Sequence, residues 1–459
     1  MENLVETVDY ILASMVSYIW GLPMVCLLAG AGLFFTIYLR GIQFTGLLHG
    51  IRVVLGHFDK ESDPGEISHF RALCSALSAT VGLGNIAGVA VAIHVGGPGA
   101  TFWMILVGFL GMVTKYVECT LSISYRRVDQ TGEVHGGPMH YIAIGLGERY
   151  KPMAAFYAVC LMLGGFGAVA MFQSNQVAQS FQNNFGVHTG ITGAILCVLT
   201  AVVIAGGIKR IGAVAGRLVP VMASIYIGGC VLVLLMNATE IPAMLSLIAS
   251  SAFSGVAAGG GMAGIAVREV LVQGARRACF SNEAGLGTAA IAHSAARTSE
   301  AAREGAVAML GPLIDTVIIC TMTSLVIISS GLWRGGLTGI ELTTAAFEQS
   351  LPGFGAYFLP IAVFLFCYST LISWYYYGER GVDYLFGASW CRVYKMIFLT
   401  LIIVGAMWKL DPILNFADSA FGLMVIPNVI AIVLLRKTVK KLSDDYFSRV
   451  RAGEFVELE

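Results

Sequence analysis

Residues 78–92, SATVGLGNIAGVAVA, decide how the rest of this chain is arranged. The stretch has the composition of a membrane span, yet Gly82, Gly84 and Gly88 lie at its centre. Each glycine in a helix interior costs about 1 kcal/mol relative to alanine, and backbone groups freed by unwinding have no partner in lipid. The pattern therefore predicts either a discontinuous helix that is buried among others and lines a polar cavity, or a packing face of small residues.

The composition indicates a polytopic membrane protein. Of the 459 residues, 57% are hydrophobic and only 12% are charged, which is about half the charged share of a soluble protein. The formal net charge is zero, so no basic surface for phosphates is expected and nucleic acid is excluded as a partner. The ten cysteines occur singly, which favours small core residues over metal ligands or disulfides.

Eleven segments of about 20 apolar residues fit the length of a bilayer span. Arg and Lys concentrate in alternate loops, and this bias predicts an external N-terminus and a cytoplasmic C-terminus. Arg268, Arg276 and Arg277 go against the bias, and the sequence offers no physical reason for them. The predicted spans are residues 17–39, 70–94, 99–125, 155–184, 189–207, 213–236, 270–295, 304–331, 355–378, 392–408 and 412–435.

Spans two to six and seven to eleven form two sets of five, with an offset of about 200 residues. Five is an odd number, so the two copies must have opposite orientations in the membrane. The seventh span contains its own glycine-interrupted stretch, FSNEAGLGT at 280–288, in the position that corresponds to VGLGN of the second span. Broken helices in matching positions of two halves indicate a transport site, and this pairing favours the discontinuous helix over the packing face.

We therefore expect an all-α integral membrane protein of about 11 transmembrane helices. Its core is a 5+5 inverted repeat in which the first helix of each copy is broken, preceded by one extra N-terminal helix. The expected divisions are an N-terminal helix with a cytoplasmic connector at 1–69, the first repeat at 70–237, an extracellular connector at 238–269, the second repeat at 270–437 and a cytoplasmic tail at 438–459.

Four long motifs carry a family resemblance that spans essentially the whole chain. They are GLGNIAGVAVAIHVGGPGATFWM at 82–104, HGGPM at 135–139, FSNEAGLGTAAIAHSAA at 280–296 and YSTLISWYYYGERG at 368–381. With these motifs the chain resembles the alanine or glycine:cation symporter family. The resemblance implies the inverted-repeat fold of the bacterial leucine transporter, in a bacterial or archaeal plasma membrane. It also implies import of small neutral amino acids, with alanine and glycine as the first candidates and serine and glutamine as further ones, together with Na⁺ or H⁺.

A broken helix can bind both ends of an amino acid. The half-helix that begins after Leu83 has free N–H groups at Leu83, Gly84 and Asn85, at a positive dipole end that suits a carboxylate. The carbonyls near Thr80, where the preceding half ends, suit an ammonium group or a cation. Gly82 and Gly84 have no Cβ and so allow a ligand to approach the backbone.

The resemblance implies the facing wall of the site. It places Phe280 over the ligand, Ser281 and Asn282 near its polar end, and Gln173 in contact with it. Glu283 is an intramembrane carboxylate and therefore a functional candidate, although it could instead cap freed N–H groups or pair with Arg277. Three further interpretations concern the remaining polar groups: Gln176 and Gln179 for helix packing or an aqueous vestibule, Lys115 paired with Glu118, and Asp315 and Asp418 in proton or gate networks.

The resemblance also implies a Na⁺ site. It sets the hydroxyls of Ser369 and Thr370 opposite the carbonyls of Ser78 and Val81, and hard oxygen ligands suit Na⁺. Without the resemblance, these hydroxyls would be read as bonding back to their own helix. Trp374, one turn beyond Thr370, fits a pocket wall that limits side-chain size, or an interfacial belt residue.

Catalytic motifs are missing from the sequence. No H-E-x-x-H, nucleophile elbow or Walker loop occurs, so we expect neither an enzyme nor an ATP-driven pump, and no cofactor beyond Na⁺ as coupling ion. The leading interpretation is a secondary active symporter with a monomeric functional unit in the lipid bilayer. A passive channel is the alternative, although a channel would place its filter on subunit rings or re-entrant loops. A membrane enzyme comes third.

Overall fold

The computed structural model describes residues 11–16, 18–60, 62–130, 132–254, 267–408 and 410–455. The beginning of the expected segment 1–69, residues 255–266 of the expected connector and the end of the tail lie outside the described residues. In the described part, helices account for nearly all of the regular structure. A two-residue antiparallel pair, Arg127–Val128 with Val134–His135, is the single sheet there.

The helices follow one another with short connections. The labelled helices are α1 Leu22–Tyr38, α2 His69–Thr80, α3 Gly84–Gly96, α4 Gly99–Tyr125, α5 Glu148–Phe185, α6 Thr189–Ile204, α7 Gly207–Met236, α8 Ile241–Ser254, α9 Val267–Asn282, α10 Ala289–Ser294, α11 Ala301–Ser330, α12 Gly339–Ser350, α13 Gly355–Phe386, α14 Cys391–Met407, α15 Leu410–Leu434 and α16 Arg436–Arg451.

Both predicted helix breaks occur. Helices α2 and α3 are bent by 54° across Val81–Leu83, where the glycines of the deciding stretch lie. Helices α9 and α10 are separated by residues 283–288, in which Glu283, Gly285 and Gly287 have φ values of 54°, 92° and 81°. Residues in this left-handed region cannot continue an α-helix. The backbone conformation of these three residues therefore ends α9 and produces the second break.

The number of spans is less definite than the sequence suggests. In the described residues, six helices are long and apolar enough to cross a membrane, or up to eight if each bent pair counts as one span. Helices α1 and α6 are apolar but shorter than 18 residues. Each half of a broken span is likewise too short to cross a membrane by itself. The structure thus establishes a multi-helix membrane protein, but it does not confirm eleven spans or the repeat layout.

Helix α4 lies at the centre of the bundle. It packs against both halves of the second broken span, against α1, and against the start of α11. Its middle and last third are almost entirely buried, from Gly111 to Ile123. Helix α7, by contrast, leaves Val221, Leu232 and Leu235 exposed. An apolar helix face that is exposed in the protein fits contact with lipid, so α4 belongs to the core and α7 to the periphery.

Three of the labelled helices contain a π-helical segment: residues 84–88 in α3, 165–171 in α5 and 313–320 in α11. A π turn inserts one extra residue and rotates the side chains that follow, and such turns occur frequently at functional sites. The three segments bring the start of α3, Ala168 and Val169 of α5, and Asp315 of α11 to one region between the two breaks. The sequence pattern did not predict them.

Candidate binding site

A cavity of about 380 Å³ lies between the two helix breaks, with α5 and α13 at its sides. This volume is in the range of small-molecule binding sites. Seven of the predicted substrate-binding residues line it, and Thr370 of the predicted cation site does so as well. The seven are Thr80, Gly82, Leu83, Gly84, Gln173, Phe280 and Trp374.

The side chain of Asn85 stabilises the first break by hydrogen bonds. Its Oδ1 accepts the N–H of Gly82 at 2.8 Å, and its Nδ2 donates to Ser281 Oγ at 3.0 Å and to Asp315 Oδ1 at 2.7 Å. Ser281 in turn donates to Asp315 Oδ2 at 2.7 Å. The side chains of Asn85, Ser281 and Asp315 are buried and do not line the cavity. Asn85 and Ser281 therefore join the two breaks behind the cavity wall.

Polar groups from four helices satisfy the backbone of the second break. Gly285 N donates to Glu118 Oε1 at 3.0 Å, and Gly285 O accepts from Asn428 Nδ2 at 2.8 Å. Leu286 O accepts from Tyr157 OH at 2.8 Å. Asn282, which the sequence placed near the ligand, instead accepts the N–H of Ala284 and donates to Thr316. These bonds replace the hydrogen bonds that a continuous helix would have made.

Glu283 lines the cavity, and both of its oxygens are engaged. Oε1 accepts from Trp374 Nε1 at 2.8 Å, and Oε2 accepts from Thr288 Oγ1 at 2.5 Å. In the described part of the chain, Glu283 forms no ion pair with Arg277. The bond to Trp374 links the second break to α13 and fixes the orientation of the indole ring against the cavity.

The expected ion pair between Lys115 and Glu118 is wrong. Glu118 uses Oε1 for Gly285 N and for Asn428 Nδ2, which donates at 2.6 Å. Lys115 is 2% exposed, and its Nζ has no hydrogen-bond partner among the described residues. The i, i+3 spacing allows a pair, but Glu118 Oε1 is engaged by the second break and by α15, while Glu118 Oε2 and Lys115 Nζ are both buried without a hydrogen-bond partner among the described residues.

Three aromatic rings form the apolar wall. Trp374 stacks on Phe421 with centroids 4.9 Å apart, and Phe280 lies 6.0 Å from Phe421 and 4.5 Å from Trp20. Trp374 is 1% exposed, so its ring cannot move away without disturbing the core. The rings give the cavity a rigid face that favours a small apolar side chain.

The predicted cation ligands lie where α2 meets α13. Ser369 Oγ donates to Ser78 O at 3.1 Å, and Ser78 Oγ donates to Ser369 O at 2.7 Å. Thr370 Oγ1 donates to Phe366 O of its own helix at 3.0 Å, and a Cβ on Gly82 would come within 3.0 Å of this hydroxyl. Ser78, Val81 and Ser369 are buried, and Thr370 is 3% exposed. Neutral oxygen atoms alone suit a monovalent hard cation.

Of the three arginines that went against the charge bias, Arg277 lines the cavity and Arg276 pairs with Asp418, which also lines it. Arg276 Nη2 is 2.8 Å from Asp418 Oδ2. Arg277 and Asp418 both line the cavity, and the Arg277 guanidinium carbon is 6.0 Å from the centre of the Phe280 ring. The pair spans 142 residues of sequence, so no local pattern could have identified it. Asp418 therefore supplies the negative charge that allows Arg276 and Arg277 to lie within the seventh span.

The sequence interpretation missed part of the cavity lining. Phe172, Phe421 and the segment 338–340 line it without having been singled out, and Gln176 lines it in agreement with the vestibule alternative. The FQSNQ cluster at 172–176 was the available signal for Phe172 and Gln176. Phe421 lies in an apolar run of α15, and nothing in that run distinguishes it from core residues.

Comparison with known proteins gives a consistent result. The family model described as the sodium:alanine symporter family matches residues 5–458. The sodium/alanine symporter AgcS of Methanococcus maripaludis is 41% identical over 458 residues, 98% of either chain. The probable sodium/glutamine symporter GlnT of Bacillus subtilis is 38% identical over 452 residues, 98% of this chain and 93% of the relative. The crystal structure of MhsT in complex with L-phenylalanine aligns with a TM-score of 0.61 at 16% identity, over 83% of this chain and 92% of that one.

The fold, which aligns with that of MhsT, and the family match together define the class: a membrane transporter with the leucine-transporter fold, and not an enzyme. Within this class, the chain belongs to the sodium:alanine symporter family, because the family model covers nearly all of it and relatives about 40% identical match along their full length.

Proposed function

We propose that this protein is a secondary active symporter that imports small neutral amino acids, alanine and glycine first, together with Na⁺ by alternating access. One observation carries the proposal: both helix breaks border a single cavity and are joined by the Asn85–Ser281 hydrogen bond. Binding at either break can therefore be transmitted to the other. Family membership and the sodium-coupled relatives support the substrate class and the ion.

The amino acid is proposed to bind across the first break. Helix α3 begins at Gly84, and the first N–H groups of any helix lack acceptors in a preceding turn. The carboxylate would accept from the N–H groups of Leu83 and Gly84, and the ammonium group would lie near the carbonyl of Thr80. These backbone groups would replace the water around the two charged ends of the amino acid. Without such partners, each buried charge would cost several kcal/mol. The N–H of Asn85, which the sequence interpretation also offered to the carboxylate, instead donates to Gly82 O at 3.1 Å.

The side chain of the substrate would face Phe280 and Trp374, with Gln173 at its edge. The rigid stack of Trp374 on Phe421 supports a limit on side-chain size. Asn85, Ser281 and Asn282 would act from behind the wall, by holding the backbone in its broken form. This differs from direct contact with the ligand, which the sequence suggested for Ser281 and Asn282.

The coupled Na⁺ is proposed to bind between α2 and α13, with the carbonyls of Ser78 and Val81 and the hydroxyls of Ser369 and Thr370. The two hydroxyls now donate to carbonyls, and Na⁺ would take their lone pairs after a rotation about χ1. The protein would work as a monomer in a bacterial or archaeal plasma membrane, with the N-terminus outside and the C-terminus in the cytoplasm.

Uptake of labelled alanine into proteoliposomes, with and without an inward Na⁺ gradient, tests the proposal. We expect accumulation above equilibrium that disappears when Na⁺ is equal on both sides and no membrane potential is present. Equilibration without accumulation under every gradient would identify a passive channel instead. Accumulation that follows a pH gradient and ignores Na⁺ would reject the Na⁺ site, and Glu283 would then be the first candidate for the proton carrier.

A further inference from the structure

Two histidines share one carboxylate at the end of the bundle opposite the Arg276–Asp418 pair. His69 is the first residue of α2, His293 lies near the end of α10, and Glu304 is in the first turn of α11. His293 Nδ1 is 2.5 Å from Glu304 Oε1, and His69 Nδ1 bonds Glu304 Oε2. All three side chains are at most 1% exposed. None of them takes part in the candidate binding site.

This His69–Glu304–His293 cluster joins the two broken spans. Around it, the N–H groups of Glu66 and Ile67 donate to Ala295 O at 2.8 and 3.1 Å, and Arg297 N donates to Ile67 O at 2.8 Å. The Arg126 guanidinium donates to four carbonyl oxygens from both segments, those of Pro64, Ser294, Ala296 and Thr298. The start of α2 and the end of α10 are thus fastened together, and this end of the bundle is closed.

Hydrogen-bond chemistry shows where an additional proton would go. An ionised carboxylate only accepts, so both Nδ1 atoms carry hydrogen and each Nε2 is left as the basic position. His69 Nε2 is buried and has no hydrogen-bond partner among the described residues. Asp59 Oδ1 lies 3.8 Å from it, on a side chain that is 43% exposed. Asp59 therefore gives the buried nitrogen a nearby anion and a route to water.

The charges in and around the cluster are balanced by the binding of one proton. With both imidazoles neutral, the cluster carries the single negative charge of Glu304 inside a buried site. The neighbouring groups are Asp59 and Asp63 before α2, Cys119 and Arg126 of α4, and Arg303 of α11. Arg303 is directed to Phe58 O, Tyr446 OH and Asp63, and Arg126 to backbone carbonyls. One proton on His69 would neutralise the cluster and place an imidazolium between two carboxylates.

We propose that His69, Glu304 and His293 form a proton-binding site that holds the two broken spans together in the closed state of this end. Separation of α2 from α10 would expose the histidines to water and take an imidazolium at His69 away from the Glu304 carboxylate. The closed state consequently binds the proton more tightly than the open state. Low pH stabilises closure, and closure weakens as the pH rises through the histidine range. The role in gating rests on the proposed function; proton binding itself does not.

The first test measures exchange of labelled alanine in proteoliposomes with equal pH on both sides, from pH 6 to pH 8. Because one proton is involved, we expect exchange to rise by up to about tenfold per pH unit until the site is deprotonated. The double variant His69→Gln/His293→Gln should exchange at a rate that is independent of pH. The control His94→Gln, at the end of α3, should keep the wild-type profile. A double variant with the wild-type profile would overturn the proposal.

A milder variant covers the case in which the double variant does not fold. Asp59→Asn removes the exposed carboxylate next to His69 and keeps its shape. We expect the pH midpoint to fall by about half a unit, in keeping with a partly exposed charge pair. An unchanged midpoint would remove Asp59 from the site and contradict the proposed proton route.

The second test does not require transport. Solid-state NMR of the full chain, labelled at histidine nitrogen and reconstituted in lipid, reports the protonation state of each imidazole, with assignment by His69→Gln and His293→Gln. We expect one cluster histidine to remain protonated at a pH at which exposed His188 is neutral. If both cluster histidines titrate like His188, or stay neutral down to pH 5, there is no proton site. Wild-type protein without alanine exchange but with the expected NMR result would reject the proposed function alone.

Discussion

At the scale of single residues, Asn85 shows how this site uses buried polar groups. Its amide satisfies the freed N–H of Gly82 on one side and reaches Asp315 and Ser281 on the other. An amide can donate and accept at the same time, so one side chain can stabilise a break and connect it to the second. Asn85 follows directly on the glycines that mark the break, and this position allowed the sequence to identify it.

Substituting Asn85→Ala should weaken alanine binding. The bonds of Asn85 to Gly82, Ser281 and Asp315 hold the first break in the form proposed to bind alanine. Loss of the bond to charged Asp315 destabilises that form by about 1.5–3 kcal/mol, which corresponds to a ten- to hundredfold higher Kd. Calorimetry with alanine measures this. The control is Asn175→Ala, which removes an equally buried amide that bonds Gly405 O and Trp408 O; it should lower stability and leave Kd unchanged. A wild-type Kd in the Asn85 variant would show that the break does not depend on this amide.

Trp374→Ala should shift substrate preference toward larger amino acids. Removing the ring opens the wall formed with Phe421, and space for an additional methylene changes discrimination by about 1–3 kcal/mol. Competition of leucine with labelled alanine should therefore improve at least about tenfold. Trp374→Phe is the control, because it keeps most of the ring and loses the N–H that donates to Glu283. If leucine competes equally with all three proteins, the wall lies elsewhere.

Long-range partners limit what could be predicted at this scale. Glu118 and Lys115 lie three residues apart, and local spacing predicts that they pair. Instead, Glu118 accepts hydrogen bonds from Gly285 N and Asn428 Nδ2. Arg276 and Asp418 meet only because two distant helices pack together. A single sequence shows which side chains can interact, but the partner among several candidates is decided by the packing of the helices.

At the scale of elements, the glycines predicted both breaks. They do so because glycine lowers helix stability everywhere and adopts positive φ without strain. The π-helical segment 313–320 left no comparable signal, and Gly165 and Gly167 of segment 165–171 were not recognised as one. Their conformation follows from packing against neighbours, for example from the bonds of Asp315 to Asn85 and Ser281.

Gly285→Ala should destabilise the second break. Gly285 has φ +92°, and a Cβ there would lie 2.2 Å from Leu28 Cδ2. Backbone strain of this kind costs about 1–3 kcal/mol, so the Tm in detergent should fall clearly. Gly311→Ala in α11 is the matched control, because no atom lies within 4 Å of its Cβ position; it should have an unchanged or slightly higher Tm. Equal Tm values for the two variants would mean that the second break can relax around a side chain.

At the scale of the whole molecule, the sequence predicted an all-helical membrane protein because composition and span length are averaged over hundreds of residues. The predicted ends of the helices were less accurate. Helix α13 extends to Phe386, eight residues beyond the predicted span, and continues through Gly378 and Gly381. The cavity itself could not be predicted in detail, because its lining comes from six separate parts of the chain. Only the two breaks and their neighbours could be located in advance.

The double variant Ser369→Ala/Thr370→Ala should separate ion binding from substrate binding. It removes two proposed oxygen ligands of Na⁺ and leaves the backbone groups of the first break in place. The Na⁺ concentration for half-maximal uptake should rise at least about tenfold, while the KM for alanine at saturating Na⁺ changes much less. Ser373→Ala, on the same helix and 1% exposed, is the control. An unchanged Na⁺ requirement would reject the site between α2 and α13.

Accumulation of alanine driven by a membrane potential, with equal Na⁺ on both sides of the proteoliposome membrane, tests the central claim most directly. A zwitterion that crosses with one Na⁺ carries one net charge, and 100 mV acting on one charge supplies about 2.3 kcal/mol. Labelled alanine should therefore accumulate up to about fiftyfold at an inside-negative potential of about 100 mV, and only when Na⁺ is present. Equilibration without accumulation at every potential, with Na⁺ present and the protein folded, would contradict Na⁺-coupled symport.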